Sequence, residues 1–123
     1  MADVVVDIYR DASGGLTVWP PIVFLSRLPA PGDRLLWRNH SNTLVRVRDI
    51  SPAPFLNAPP TPAPPGVVLG AGELCAIPAA AAAGPATPGG PCSLVAGVAR
   101  GTYKYRVRSD AGEWARGSES AVD

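Results

Sequence analysis

The chain has 123 residues, of which 46% are hydrophobic and 17% are charged, and its formal net charge at pH 7 is +1. The length fits a single domain, residues 1–123, and a charge near zero argues against a surface that wraps nucleic acid. The 15 prolines and 13 glycines exclude a helical bundle and a coiled coil, because proline breaks the interior of a helix. No apolar run is long enough to cross a membrane as a helix.

Before position 50, short apolar and β-branched runs alternate with turn residues, which is the pattern of β-strands. Pro20 and Pro21 interrupt the second run and suit an edge strand with a bulge, because proline cannot donate a hydrogen bond to a neighbouring strand. The predicted strands in this part are residues 4–9, 17–25, 35–38 and 44–48.

The middle of the chain has a different composition. Residues 50–99 contain one charged residue, Glu73, and 11 of the 15 prolines. Prolines at this density favour extended loops, and the alanine run at 79–83 is too short for more than one helical turn. Because disorder usually accompanies charge, we expect this stretch to pack across the domain or against a partner. The predicted Pro/Ala-rich loops lie within 51–65 and 78–91, and the predicted short strands are 67–69 and 74–77.

The last part of the chain returns to strand-like alternation, most regularly in 102–108. Two further strands are predicted at 94–98 and 118–122. Seven or eight short strands separated by turns indicate an all-β fold. We predict an antiparallel Greek-key β-sandwich with a long Pro/Ala-rich insertion.

The amino terminus, MADVVVD, has neither the basic segment nor the apolar run of a signal peptide, so we expect a cytoplasmic protein. The bias toward alanine, proline and arginine is typical of bacterial proteins. In the cytoplasm, Cys75 and Cys92 are expected as buried free thiols. A disulfide between them stays open as the alternative.

Two motifs are more specific than periodicity. GDRLLWRN at 32–39 fits G-D-x-[hydrophobic]-x-W-x-N, and GTYKYRV at 101–107 fits G-T-Y-x-Y-x-C with valine in the last position. Together they resemble the cupredoxin family of plastocyanin-like β-sandwiches, which bind copper through two histidines, a cysteine and usually a methionine. The resemblance implies that the two histidine positions are Val45 and Asp110, the cysteine position is Val107 and the methionine position is Ala115. Valine and alanine have no lone pair, so we expect a copper-free member of this fold without a cofactor.

Ten of the 11 basic residues are arginine. Strand alternation turns Val45 and Val47 inward and the basic residues that follow each of them outward, and 102–108 alternates in the same way. The resemblance implies that these two strands are neighbours, which gives one cationic patch. The alternative is a solvated outer face that prevents edge aggregation. As a binding surface the patch favours an acidic protein over nucleic acid, because no aromatic residue interleaves its cations. Its members are Arg46, Arg48, Lys104, Arg106 and Arg108.

Trp19 and Trp114 are expected to cover the core as lids, with partner contact as the alternative. His40, the chain's only histidine, is expected in a surface turn, where it leaves serine and cysteine without a general base. We therefore expect no enzyme activity.

These observations predict a non-catalytic protein-interaction module that binds a protein partner and neither nucleic acid nor membrane. One alternative is a structural subunit or decoration protein of a larger assembly, which would self-associate. A further alternative is carbohydrate or small-ligand binding through exposed tryptophans.

Overall fold

The computed structural model describes residues 2–51, 54–82 and 84–123. This part of the chain contains nine strands and no helix, and so no helix that could cross a lipid bilayer. The strands are β1 (Asp3–Arg10), β2 (Leu16–Trp19), β3 (Ile22–Leu25), β4 (Arg34–Asn39), β5 (Val45–Ser51), β6 (Glu73–Ile77), β7 (Thr87–Ser93), β8 (Gly101–Ser109) and β9 (Glu119–Val122).

The strands form two sheets, one in the order β2-β1-β4-β7 and one in the order β3-β9-β8-β5-β6. The all-β prediction is confirmed, and the two sheets are consistent with a β-sandwich. The prediction of purely antiparallel sheets is wrong, because β1 pairs with β4 and β3 pairs with β9 in parallel. Between β1 and β4 the chain passes through β2 and β3, which belong to different sheets, and it then returns beside β1 in the same direction.

The predicted strand 17–25 is in fact two strands in different sheets. β2 forms one edge of the four-stranded sheet and β3 forms one edge of the five-stranded sheet. Pro20 and Pro21 lie at the crossing point, where two residues without an N–H group interrupt the ladder. The described residues contain nine strands, so the predicted count of seven or eight is wrong.

The middle segment also differs from its prediction. The sequence 94–98 is not a strand, whereas β7 lies partly within the region predicted as a loop. β7 tolerates its prolines because it is the edge strand of its sheet and has a register irregularity. The predicted strand 67–69 is absent from the described residues, while 74–77 is confirmed as part of β6. Of the alanine run, the described residues 79–82 form no helix, and Ala83 lies outside the description.

The core lies between the sheets and uses residues from the proline-rich segment as well. Trp37 of β4 contacts Tyr105 of β8 edge-on, with ring centroids 5.5 Å apart. Phe55, from the loop after β5, stacks on Tyr103 at 5.0 Å and is fully buried. The proline-rich segment thus packs across its own domain, which was one of the two arrangements expected for it.

Candidate binding face

The predicted cationic patch lies on the outer face of the five-stranded sheet. β5 and β8 are antiparallel neighbours, with Arg46 opposite Arg108 and Arg48 opposite Arg106. Lys104 lies farther along β8, opposite Glu119 of β9. The valines between these cations are buried, as the alternation predicts. The structure therefore brings all five predicted residues to one face.

Arg46 is held within the protein surface rather than offered to a ligand. Its Nε donates to Oδ1 of Asp110 at 3.0 Å and its Nη1 donates to Oε1 of Glu73 at 2.9 Å. Only 18% of its side chain is exposed. The hydrogen bond to Asp110, followed by that to Glu73, raises the pKa of Arg46. Arg46 is therefore a structural member of the patch.

Glu73 organises this face, and the sequence interpretation did not assign it a role. Its carboxylate accepts hydrogen bonds from Arg46 and from the backbone N–H of Gly70, and it lies 3.9 Å from Nη2 of Arg108. Burial would raise the pKa of Glu73, but these hydrogen bonds outweigh it and the pKa is lowered. A signal was present in the sequence, since Glu73 is the one charged residue in 50–99.

Trp114 lies among the cations. Its ring is 5.0 Å from Cζ of Arg106 and 5.8 Å from Cζ of Arg108, within the range of cation–π attraction. The side chain is 48% exposed, so its prediction as a core lid is wrong. The premise that no aromatic residue interleaves the cations is also wrong. An isolated antiparallel β-bridge between Trp114 and Arg108 holds the loop before β9 over β8. Strand periodicity cannot predict this contact.

The remaining cations are more available. Arg48 donates from Nη2 to the carbonyl of Ala71 at 3.1 Å, and none of the carboxylates whose side chains the structure describes pairs with Arg48 or Arg106. Lys104 lies 3.7 Å from Glu119, a weak surface pair. Arg48, Arg106, Arg108 and Trp114 together form what we call the Arg–Trp face. It presents guanidinium N–H groups beside an indole ring.

Trp19 does not belong to this face. It lies on the outer side of the four-stranded sheet, opposite Asp7 in the β1–β2 ladder. Its side chain is 60% exposed, so the prediction of a core lid is wrong for this tryptophan too. The two exposed tryptophans therefore serve different surfaces.

The four positions that the resemblance assigns to copper ligands lie close together. Val45 and Val107 are fully buried on the neighbouring strands β5 and β8. The N–H of Ala115 donates a hydrogen bond to the carbonyl of Val107 at 2.8 Å. The N–H of Asp110 donates one to the carbonyl of Leu44, the residue before Val45, at 3.1 Å. The three aliphatic side chains have no donor atom and the Asp110 carboxylate pairs with an arginine, so this set does not fit copper. Within the described residues, no group of three or more histidine, cysteine or acidic side chains could hold a metal ion.

Cys75 of β6 and Cys92 of β7 are free, buried thiols that come from different sheets. The disulfide that the sequence left open is not formed. The hydrogen bond with the Cys92 thiol, together with burial, raises the pKa of Cys75. Burial disfavours the thiolate form of both cysteines, which pack as core side chains.

The comparisons with family models, curated proteins and solved structures found no match for this chain. The Arg–Trp face offers charge-assisted hydrogen bonds and a stacking surface, a combination suited to recognition.

Proposed function

We propose that this chain is a copper-free, cupredoxin-like Greek-key β-sandwich that acts as a non-catalytic protein-interaction module. The GDRLLWRN motif runs into β4 and the GTYKYRV motif opens β8. Support for the cupredoxin-like part comes from the four former ligand positions, which meet at one end of β5 and β8. Because their side chains offer copper no suitable set of donors, we assign the activity to the outer surface.

The observation that carries the proposal is the arrangement of Arg106 and Arg108 around Trp114, next to Arg48. Arginine pairs bidentately with carboxylates, and the indole can cover an apolar group of the same partner. Arg46, the least exposed arginine of the patch, is already paired with two carboxylates, those of Glu73 and Asp110. The free cations thus favour an acidic protein segment as the partner.

The test uses a triple variant, Arg48→Gln/Arg106→Gln/Arg108→Gln, and a fluorescein-labelled oligoglutamate peptide. We expect the native protein to bind the peptide at low salt and the variant to bind it about tenfold more weakly. Three exposed ionic contacts of about 0.5 kcal/mol each account for that factor. Fluorescence anisotropy measures both affinities, and added salt should weaken the native complex.

The matched control is Arg34→Gln/Arg38→Gln/Arg100→Gln, which removes the same charge from surfaces away from the Arg–Trp face. This control should keep nearly native affinity. Equal losses of peptide affinity in the two triple variants would contradict the proposal, and so would a native protein that does not bind the peptide at millimolar concentration. Tighter binding of an oligothymidine of equal length would assign the Arg–Trp face to nucleic acid instead.

Self-association is the second candidate function, and the edge strand β3 favours it. Ile22 and Phe24 are 47% and 75% exposed, and Leu28, just beyond the strand, is 74% exposed. The carbonyl of Pro21 accepts a hydrogen bond from Glu119 of β9 and that of Leu25 accepts one from Asp123, just beyond β9. Because alternate residues of a parallel strand face its partner, the backbone groups of Ile22 and Phe24 face the open edge. Natural edge strands usually carry charges that prevent pairing, whereas the sequence from Trp19 to Ser26 has none. A second copy of the chain offers the same uncharged edge.

We expect light scattering after size-exclusion chromatography to show a dimer at high protein concentration. Phe24→Lys should restore the monomer, because it places a charge on the pairing edge. Val68→Lys changes an 83% exposed apolar residue elsewhere and should leave the dimer intact. A native protein that is monomeric at every concentration would remove this candidate.

A further inference from the structure

The outer face of the four-stranded sheet carries a second surface of unusual composition. Trp19 is 60% exposed, although aromatic side chains of this size are largely buried on average. With Asp7, Tyr9 and His40 it lines a shallow depression of about 580 Å³. β1 and β2 are paired in register here, so Asp7 lies directly opposite Trp19. Asp7, Tyr9 and Trp19 thus lie on paired strands, and His40 directly follows β4.

The polar half of this depression is an organised cluster. Oδ1 of Asp7 accepts a hydrogen bond from Nε of Arg38 at 3.0 Å and lies 2.7 Å from Nε2 of His40. Burial would raise the pKa of Asp7, but the hydrogen bonds from His40 and Arg38 outweigh it and the pKa is lowered. The carboxylate is thus an ionised acceptor whose charge is balanced by its neighbours.

This balance restricts the ligand chemistry. A cationic ligand would meet the guanidinium group of Arg38 beside the one carboxylate, and a phosphate would be repelled by that carboxylate. A purely apolar ligand would shield the paired Asp7 carboxylate from water and add no hydrogen bond in return. An uncharged ligand with one apolar face and a hydroxyl-bearing edge satisfies both halves of the depression.

We propose that the depression formed by Asp7, Tyr9, Trp19 and His40 binds a neutral sugar ring. The C–H face of the ring packs on the exposed aromatic surface, and its hydroxyl groups hydrogen bond to the Asp7–His40 cluster. This site shares no residue with the Arg–Trp face and does not depend on the function proposed for it.

The test begins with an array of neutral oligosaccharides built from glucose, mannose, galactose and N-acetylglucosamine, with heparin fragments as the charged arm. The neutral glycan retained most strongly is then titrated by calorimetry against three variants. We expect Trp19→Ala to lower its affinity about tenfold, because the variant loses the apolar ring surface on which the sugar packs. Trp19→Phe keeps a ring and should lose less, and Trp114→Ala, on the other sheet, should bind within about twofold of native.

Three results would overturn the proposal: retention of no neutral glycan, retention of heparin fragments alone, or equal losses in Trp19→Ala and Trp114→Ala. Retention of heparin alone would indicate binding at the cationic Arg–Trp face, so this result would overturn the sugar site without contradicting the function proposed for that face. Thermal unfolding of each variant verifies that it is folded. Trp19→Phe keeps the comparison informative if the alanine variant unfolds.

Discussion

Gly89→Ala is expected to destabilise the protein by about 2 kcal/mol, the cost of overpacking a filled core. A Cβ atom at this position of β7 would overlap Cγ1 and Cδ1 of Ile77, which is fully buried on β6. The two strands belong to different sheets and contact each other, so the missing side chain lets the sheets approach at this point. Urea denaturation monitored by tryptophan fluorescence measures the decrease in the free energy of unfolding.

Gly15→Ala is the matched control, because a Cβ atom there would meet its nearest neighbours at an ordinary 3.5 Å. It should change the free energy of unfolding by less than about 0.5 kcal/mol. In the double variant Gly89→Ala/Ile77→Ala the overlapping atoms are gone, so its destabilisation should be smaller than the sum of the single effects. Additive effects, or a Gly89→Ala variant as stable as Gly15→Ala, would show that the close approach does not limit stability.

Glu73→Gln should destabilise the protein by about 2 kcal/mol at neutral pH, the range for charged hydrogen bonds that lose a partner. The Glu73 side chain is only 10% exposed, and its carboxylate balances Arg46 while accepting the Gly70 N–H. Glutamine preserves the size and one acceptor but removes the charge. Chemical denaturation of both proteins across a pH series measures the difference.

The sign of the pH dependence follows from the lowered pKa of Glu73. A carboxyl group whose pKa is lower in the folded state stabilises the protein fully above its unfolded value of 4.5. That contribution is lost as pH falls through the lower folded pKa, so the stability difference from Glu73→Gln should shrink in acid. Glu119→Gln, which removes a weak surface pair 3.7 Å from Lys104, should cost less than about 0.5 kcal/mol. A difference that stays constant down to acid pH would contradict the role given to Glu73.

These two sites support the Arg–Trp face in different ways. Gly89 permits contact between β6 and β7, and β6 in turn carries Glu73 at the start of its strand. Glu73 and Asp110 hold Arg46 in place between them. Because Arg46 is already paired, the cations that can reach a partner are those around Trp114 and on the neighbouring strand.

The sequence by itself predicted the β class and the alternation of β5 and β8, because periodicity of two depends on local residues alone. It also identified Val45, Val107 and Ala115 as side chains without metal-binding atoms, which is a matter of residue type.

The tertiary structure decided which strands pair and in which direction, because an alternating run looks the same in either direction. It also decided which cations are free: Arg46 meets Glu73 and Asp110 across 27 and 64 residues of chain. Trp114 came to the cationic face, and Trp19 to the other sheet, through contacts between distant segments. A local pattern indicates the face of a strand on which a residue lies. The neutralisation of an arginine and its stacking on a tryptophan depend on neighbours that only the folded chain brings together.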